Sequence, residues 1–129
     1  MAYHFHKHYT RDEARSLLPE IREWLERLLA LRSDLQAQDQ LLTELRQPGC
    51  DLGGEVVNNW TRTMAELNCV LSEFFKREIQ VKDLDRGLID FPSLREGKEV
   101  FLCWEQGEED IDFWHDLEAG YAGRERLDE

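Results

Sequence analysis

From Ala14 onward the apolar residues recur at alternating steps of three and four: Ala14, Leu17, Ile21, Trp24, Leu28, Leu31, Leu35, then Gln38, Leu42 and Leu45. Gln38 is the one polar member. This spacing lays a single seam along a helix and favours knobs-into-holes packing against a second helix. "TRDE" at Thr10 to Glu13 predicts a capping box at its start. Pro19 falls inside the pattern and predicts a kink or break, because it lacks an N–H and crowds the preceding turn. "QPGCDLGG", Gln47 to Gly54, predicts the helix end, with Pro48 unable to continue it and Gly49 suited to a left-handed cap. A second seam follows at Val57, Trp60, Met64, Leu67, Leu71 and Phe74, predicting a helix from about Glu55 to about Glu78. At 1.5 Å per residue the helices measure about 42 Å (counted from Pro19) and about 35 Å, which suits an antiparallel, coiled-coil-like hairpin.

Leu18, Leu25, Val70 and Phe75 widen the apolar face beyond one seam, and a wide stripe needs more than one neighbour. A sheet supplies one. The other is expected to be a second copy of the chain, giving a homo-oligomer, a dimer built as a four-helix assembly. Trp24, Trp60, Met64, Phe74 and Phe75 lie on the seams or beside them and are expected to be core packing.

After Glu78 the period changes to two. Ile79 and Val81 share a face, "LDRG" turns with Gly87 wanting positive φ, and Ile89 and Phe91 lie opposite Leu88 and Asp90. Pro92 predicts an edge or a strand's end. "REGKE" is a loop. "VFLCWE", Val100 to Glu105, is apolar on both faces and predicts a central strand. "QGEE" turns it, and Ile111, Phe113 and His115 return on one side. The expectation is an α+β fold: a long helical hairpin (10–79), a three- to four-stranded antiparallel meander (79–116) and a C-terminal tail (117–129), in a single domain of residues 1–129.

Composition narrows the partners. The formal net charge is -12, from 28 acidic and 16 basic residues that are interleaved. No basic stripe is present, which argues against nucleic acid and anionic membrane surfaces. No apolar run reaches membrane-spanning length. The cysteines Cys50, Cys69 and Cys103 are odd in number and widely spaced, which argues against a disulfide framework or a structural zinc site. With no apolar signal core at the N-terminus, the expected location is the cytoplasm.

"GLIDFPSLREGKEVFLCWEQGEEDIDFWHDLEAGYAGR", Gly87 to Arg124, resembles the small prokaryotic family DUF2203, a domain of unknown function. "YTRDEARSLLPEIREWLERL" is similar to that family's start. The motifs G-L-I-D-F-P, L-C-W-x-x-G-E and F-W-H-D-L-x-A-G-Y-A-G-R carry the resemblance, which extends over nearly the whole chain. It implies no established activity and transfers no catalytic residue. "HFHKH" lies outside the pattern.

Three clusters bear chemistry. His4, His6 and His8 alternate, so an extended strand would put their rings on one face as in metal-binding H-x-H pairs; solvated histidines in a mobile terminus are the simpler expectation. Glu105 to Asp112 is dense in carboxylates, but a charged hairpin tip explains it and the spacing is not that of a calcium loop. His115, flanked by Asp112, Asp116 and Glu118, is the strongest candidate. A carboxylate-oriented histidine serves as a general base or a metal ligand. Asp90 is placed to join from another strand, Arg95 and Arg124 to fork a small anionic ligand, and Trp104 and Trp114 to wall the corner. The alternative is a structural ring closing the strand. No nucleophile elbow, phosphate loop, H-E-x-x-H or dinucleotide fingerprint is present, and no cofactor is indicated. The sequence thus favours a non-enzymatic assembly or adaptor domain that self-associates through its helices. The alternative is a small-molecule or metal-binding protein, hydrolase-like in its chemistry, with a site around His115.

Overall fold

The computed structural model describes residues 2–45 and 54–127. Two helices, α1 (Arg11–Leu45) and α2 (Gly54–Phe75), precede five strands: β1 (Gln80–Asp83), β2 (Leu88–Arg95), β3 (Lys98–Glu105), β4 (Phe113–Asp116) and β5 (Glu125–Arg126). The strands form one antiparallel sheet in chain order, so the fold is α+β with a meander. The residues group into two compact units, Trp24–Glu73 and Met1–Glu23 with Phe74–Glu129. The expected helix end at Gln47 to Gly53, with Pro48 and Gly49, lies outside the described residues.

At the start of α1 the Glu13 amide donates to Thr10 Oγ1 (3.1 Å) and the Thr10 amide to Glu13 Oε1 (2.9 Å), the reciprocal capping box. Pro19 does not break α1, which is continuous through it. The flanking Leu18 and Ile21 are fully buried, and that packing outweighs the one lost backbone hydrogen bond.

In the unit 24–73 the helices pack antiparallel: Arg27 pairs with Glu66, Gln38 Nε2 donates to Thr63 Oγ1 (3.0 Å), and Trp60 Nε1 to Asp39 Oδ1 (2.7 Å). The α2 seam differs from the predicted one. Val57 and Leu71 are 40% exposed, whereas Thr63 is buried. The covered line runs through Val56, Trp60, Thr63, Leu67, Val70 and Phe74. Thr63 takes the interior place assigned to Met64 because Gln38 needs a polar partner, and an unpaired polar group there would be costly.

α2 ends at Phe75, and Glu78 follows in a left-handed conformation (φ 60°). Gly87 adopts positive φ as its turn demands (65°). Strand β3 is central, as its two apolar faces predict. Pro92 sits inside β2 rather than at its end. β1 pairs only with Leu88 to Asp90, so the side of β2 that would miss the Pro92 N–H has no strand beside it; there the Tyr9 amide donates to the Pro92 carbonyl (2.7 Å). The tail adds a fifth strand that no period announces, because β5 has only two residues. No helix among the described residues is long and apolar enough to cross a membrane.

Candidate functional site

Glu96 (φ 55°) and Gly97 (φ 80°) make the tight turn between β2 and β3, pairing Arg95 with Lys98. Strand parity then dictates the rest. Asp90 on β2 lies opposite Cys103 on β3, Phe101 opposite His115 on β4, and all four project from one face of the sheet. Asp90, Cys103 and His115 are each at most 3% exposed.

His115 Nδ1 is 2.8 Å from the Asp116 carbonyl oxygen. A carbonyl only accepts, so Nδ1 carries a proton. Nε2 faces both carboxylate oxygens of Asp90 at 3.0 Å. Burial works to lower the imidazole pKa, but the bonds to Asp90, Cys103 and the Asp116 carbonyl, with the Asp90 charge, outweigh it and raise the value to about 10. In this state the ring is a cation paired with Asp90. One ligand-type atom from each of Asp90, Cys103 and His115 lies within 4.8 Å of the other two, the only such three-residue group among the described residues.

Arg124 closes the end of the cluster. Its Nη1 lies 3.7 Å from Cys103 Sγ, its Nη2 pairs with Glu108, and its guanidinium stacks 3.7 Å over Phe113. The Cys103, Glu108 and Phe113 contacts explain why a charged residue tolerates this half-buried position.

The other predicted residues go elsewhere. Trp104 and Trp114 alternate with Cys103 and His115 and so lie on the opposite face, where Arg95 covers Trp114 (4.8 Å) and Trp104 Nε1 donates to the Glu108 carbonyl (2.9 Å). The Asp116 carboxylate meets Lys98 (3.0 Å), and Glu118 lines a separate cavity of about 430 Å³ with Tyr3, His4, Glu99 and Asp116. The three N-terminal histidines do not converge. The His4 amide and the His8 ring both reach Glu99, while the His6 ring stands beside Glu78 (3.5 Å). Cys103 escaped the sequence reading as a site residue, and Glu108 entered it only within the acidic stretch Glu105 to Asp112. The signal was present: "REGK" read as a two-residue turn aligns Asp90 with Cys103.

Two helices and a five-stranded meander carrying a buried Asp–Cys–His group define a small α+β protein with a potential metal-ligand set. The chain belongs to the family DUF2203, described as an uncharacterised conserved protein, which matches residues 7–127. No curated protein and no solved structure matches it. The three motifs of the family resemblance meet in this cluster: Asp90 from the first, Cys103 and Glu108 from the second, His115 and Arg124 from the third.

Proposed function

We propose that the protein binds a divalent transition metal, zinc-like in preference, through Asp90, Cys103 and His115. One observation carries this reading: the Asp116 carbonyl holds the Nδ1 proton, which aims Nε2 at a carboxylate and a thiol. A backbone carbonyl on the far nitrogen is the usual support of a metal-bound histidine. Carboxylate, thiolate and imidazole together suit zinc or cobalt, whose bonds of roughly 2.0–2.3 Å would part the His115–Asp90 pair slightly as the metal took its place between them. Electrostatics agrees. A dication that replaces the imidazolium and thiol protons leaves the buried net charge unchanged, and Arg124 supplies an N–H donor to the thiolate. Three ligands leave a fourth position for water or a substrate atom, the pattern of reactive rather than closed structural sites. A reduced thiol ligand favours a reducing cytoplasm. The acidic chain has no basic stripe to hold duplex nucleic acid.

Cobalt(II) titration of the purified protein tests the proposal. The expected result is roughly one equivalent bound per chain with a thiolate-to-metal charge-transfer band, lost in Cys103→Ser and His115→Gln. Binding without that band, or binding that both variants retain, would overturn it.

A second reading rests on the helices. Leu41, Val57 and Leu71 are 40–43% exposed. A second copy covering this face would make a helical dimer, which light scattering at tens of micromolar would detect as twice the monomer mass; a monomer there excludes it.

A further inference from the structure

The cluster is buried, and the N-terminal segment lies one side chain away from it, across Phe101. Residues 2–9 form neither helix nor strand. Tyr9 is a buried anchor, bonded to Pro92, Ser93 and Arg77, and the Tyr3 hydroxyl donates to the Gly97 carbonyl (3.0 Å); between them two carboxylates hold the chain. Glu99 accepts the amides of His4 (2.8 Å) and Phe5 (3.0 Å) and faces the His8 ring (2.8 Å). Glu78 Oε1 accepts the amides of His6 and Lys7, both at 2.7 Å. Between these two latches Phe5 packs edge-on against Phe101 (5.5 Å), and Phe101 packs against the His115 ring (5.5 Å). Phe101 is only 4% exposed and shares the sheet face of Cys103 and Asp90.

Glu78 has a backbone role as well. Its φ of 60° is a backbone state that glycine adopts freely and glutamate at a cost. A glutamate is held there with its carboxylate on the strap. The same residue closes α2: its amide donates to the Phe75 carbonyl (3.0 Å) and the Ile79 amide to the Phe74 carbonyl (3.1 Å), the left-handed C-terminal cap of a helix, so the latch is built on the helix end. Amide-to-carboxylate bonds, unlike a strand ladder, also release without unfolding a sheet.

We propose that residues 2–8 are a lid, hinged at the anchored Tyr9 and latched beside the Asp90–Cys103–His115 centre by Glu78 and Glu99, and that its release admits a divalent metal ion. This regulatory role rests on the metal-binding reading above, but the lid itself has a readout that needs no metal. Opening lifts Phe5 from Phe101 and exposes the face that carries Cys103.

The test uses the full chain with Cys50 and Cys69 replaced by serine, so that Cys103 is the only thiol. Three variants are compared with this parent: Glu78→Gly, Glu99→Ala and Phe5→Ala. Glu78→Gly removes a latch while relieving the backbone, so its thermal midpoint should be no lower than the parent's. Even so, Cys103 should react with a disulfide reagent about tenfold faster, the factor that about 1.4 kcal/mol sets. Cobalt uptake and release should both accelerate by a similar factor, with little change in affinity. Cys103 reactivity unchanged in all three variants overturns the lid. Reactivity that rises while uptake of bound cobalt does not overturns its role as a gate. If neither parent nor variants bind cobalt, the metal reading fails, and with it the gating; the lid is then judged on the thiol rates.

Discussion

The two units treat interior polarity in opposite ways. In the helical unit the polar interior is one neutral layer, Gln38 with Thr63, on a seam whose α2 side is mostly half-covered. In the sheet unit it is ionic: Asp90 and His115 are each at most 3% exposed and bond directly. A neutral layer fixes helix register at small cost. An ion pair at that depth is seldom the most stable choice, since a well-packed apolar substitute is often as good. The difference teaches where to look for function: the sheet keeps charged groups, in ligand geometry, where folding alone does not require them.

Breaking each side of the comparison separately gives the sharpest tests. The largest effect should follow His115→Ala, which strands the Asp90 carboxylate in the interior. We expect a loss of about 3–5 kcal/mol in chemical denaturation. A loss under about 1 kcal/mol, typical of exposed pairs, would mean that the pair is not buried as described. Trp60→Ala comes next. The ring is half-exposed, so it should cost about 1–2 kcal/mol rather than the 3–5 kcal/mol of a fully buried aromatic. Thr63→Val leaves Gln38 without its donor's partner and should cost about 1 kcal/mol, while Gln38→Leu with Thr63→Val should restore most of it. If the double variant is as unstable as His115→Ala, the contrast between the units collapses.

The last effect is confined to acid. Desolvation pushes the Glu99 carboxyl upward, but the His4 amide, the His8 ring and the Phe5 amide hold it down to about 2, against an ordinary 4.5. The folded value lies below the unfolded one, so the strap's stabilisation is fully present above about pH 4.5 and is lost as the pH falls through 2. Glu99→Ala should flatten that part of the stability profile. An unchanged slope would remove Glu99 as the latch.

Regular elements were legible in the sequence because burial imposes a pattern: three-four steps drew both helices, alternation drew β1, β2 and β4, and a run apolar on both faces drew β3. Features fixed by a single contact were not. Thr63 has no place in an apolar seam; Gln38, on another helix, turns it inward. The strap has no period, since carboxylates more than seventy positions away hold it. For the candidate site, His115, Asp90 and Arg124 were recognisable by residue type and neighbourhood. Cys103 was not, because its meaning depends on strand register. Trp104 and Trp114 fell on the wrong face for the same reason: adjacent residues in a strand point apart.

Zinc-edge X-ray absorption on protein loaded with zinc at neutral pH tests the central claim most directly. The account predicts a first shell with one sulfur at about 2.3 Å and nitrogen or oxygen neighbours at about 2.0–2.2 Å, the sulfur vanishing in Cys103→Ser. A shell of nitrogen and oxygen alone in the parent protein, or a sulfur that survives that substitution, would contradict it.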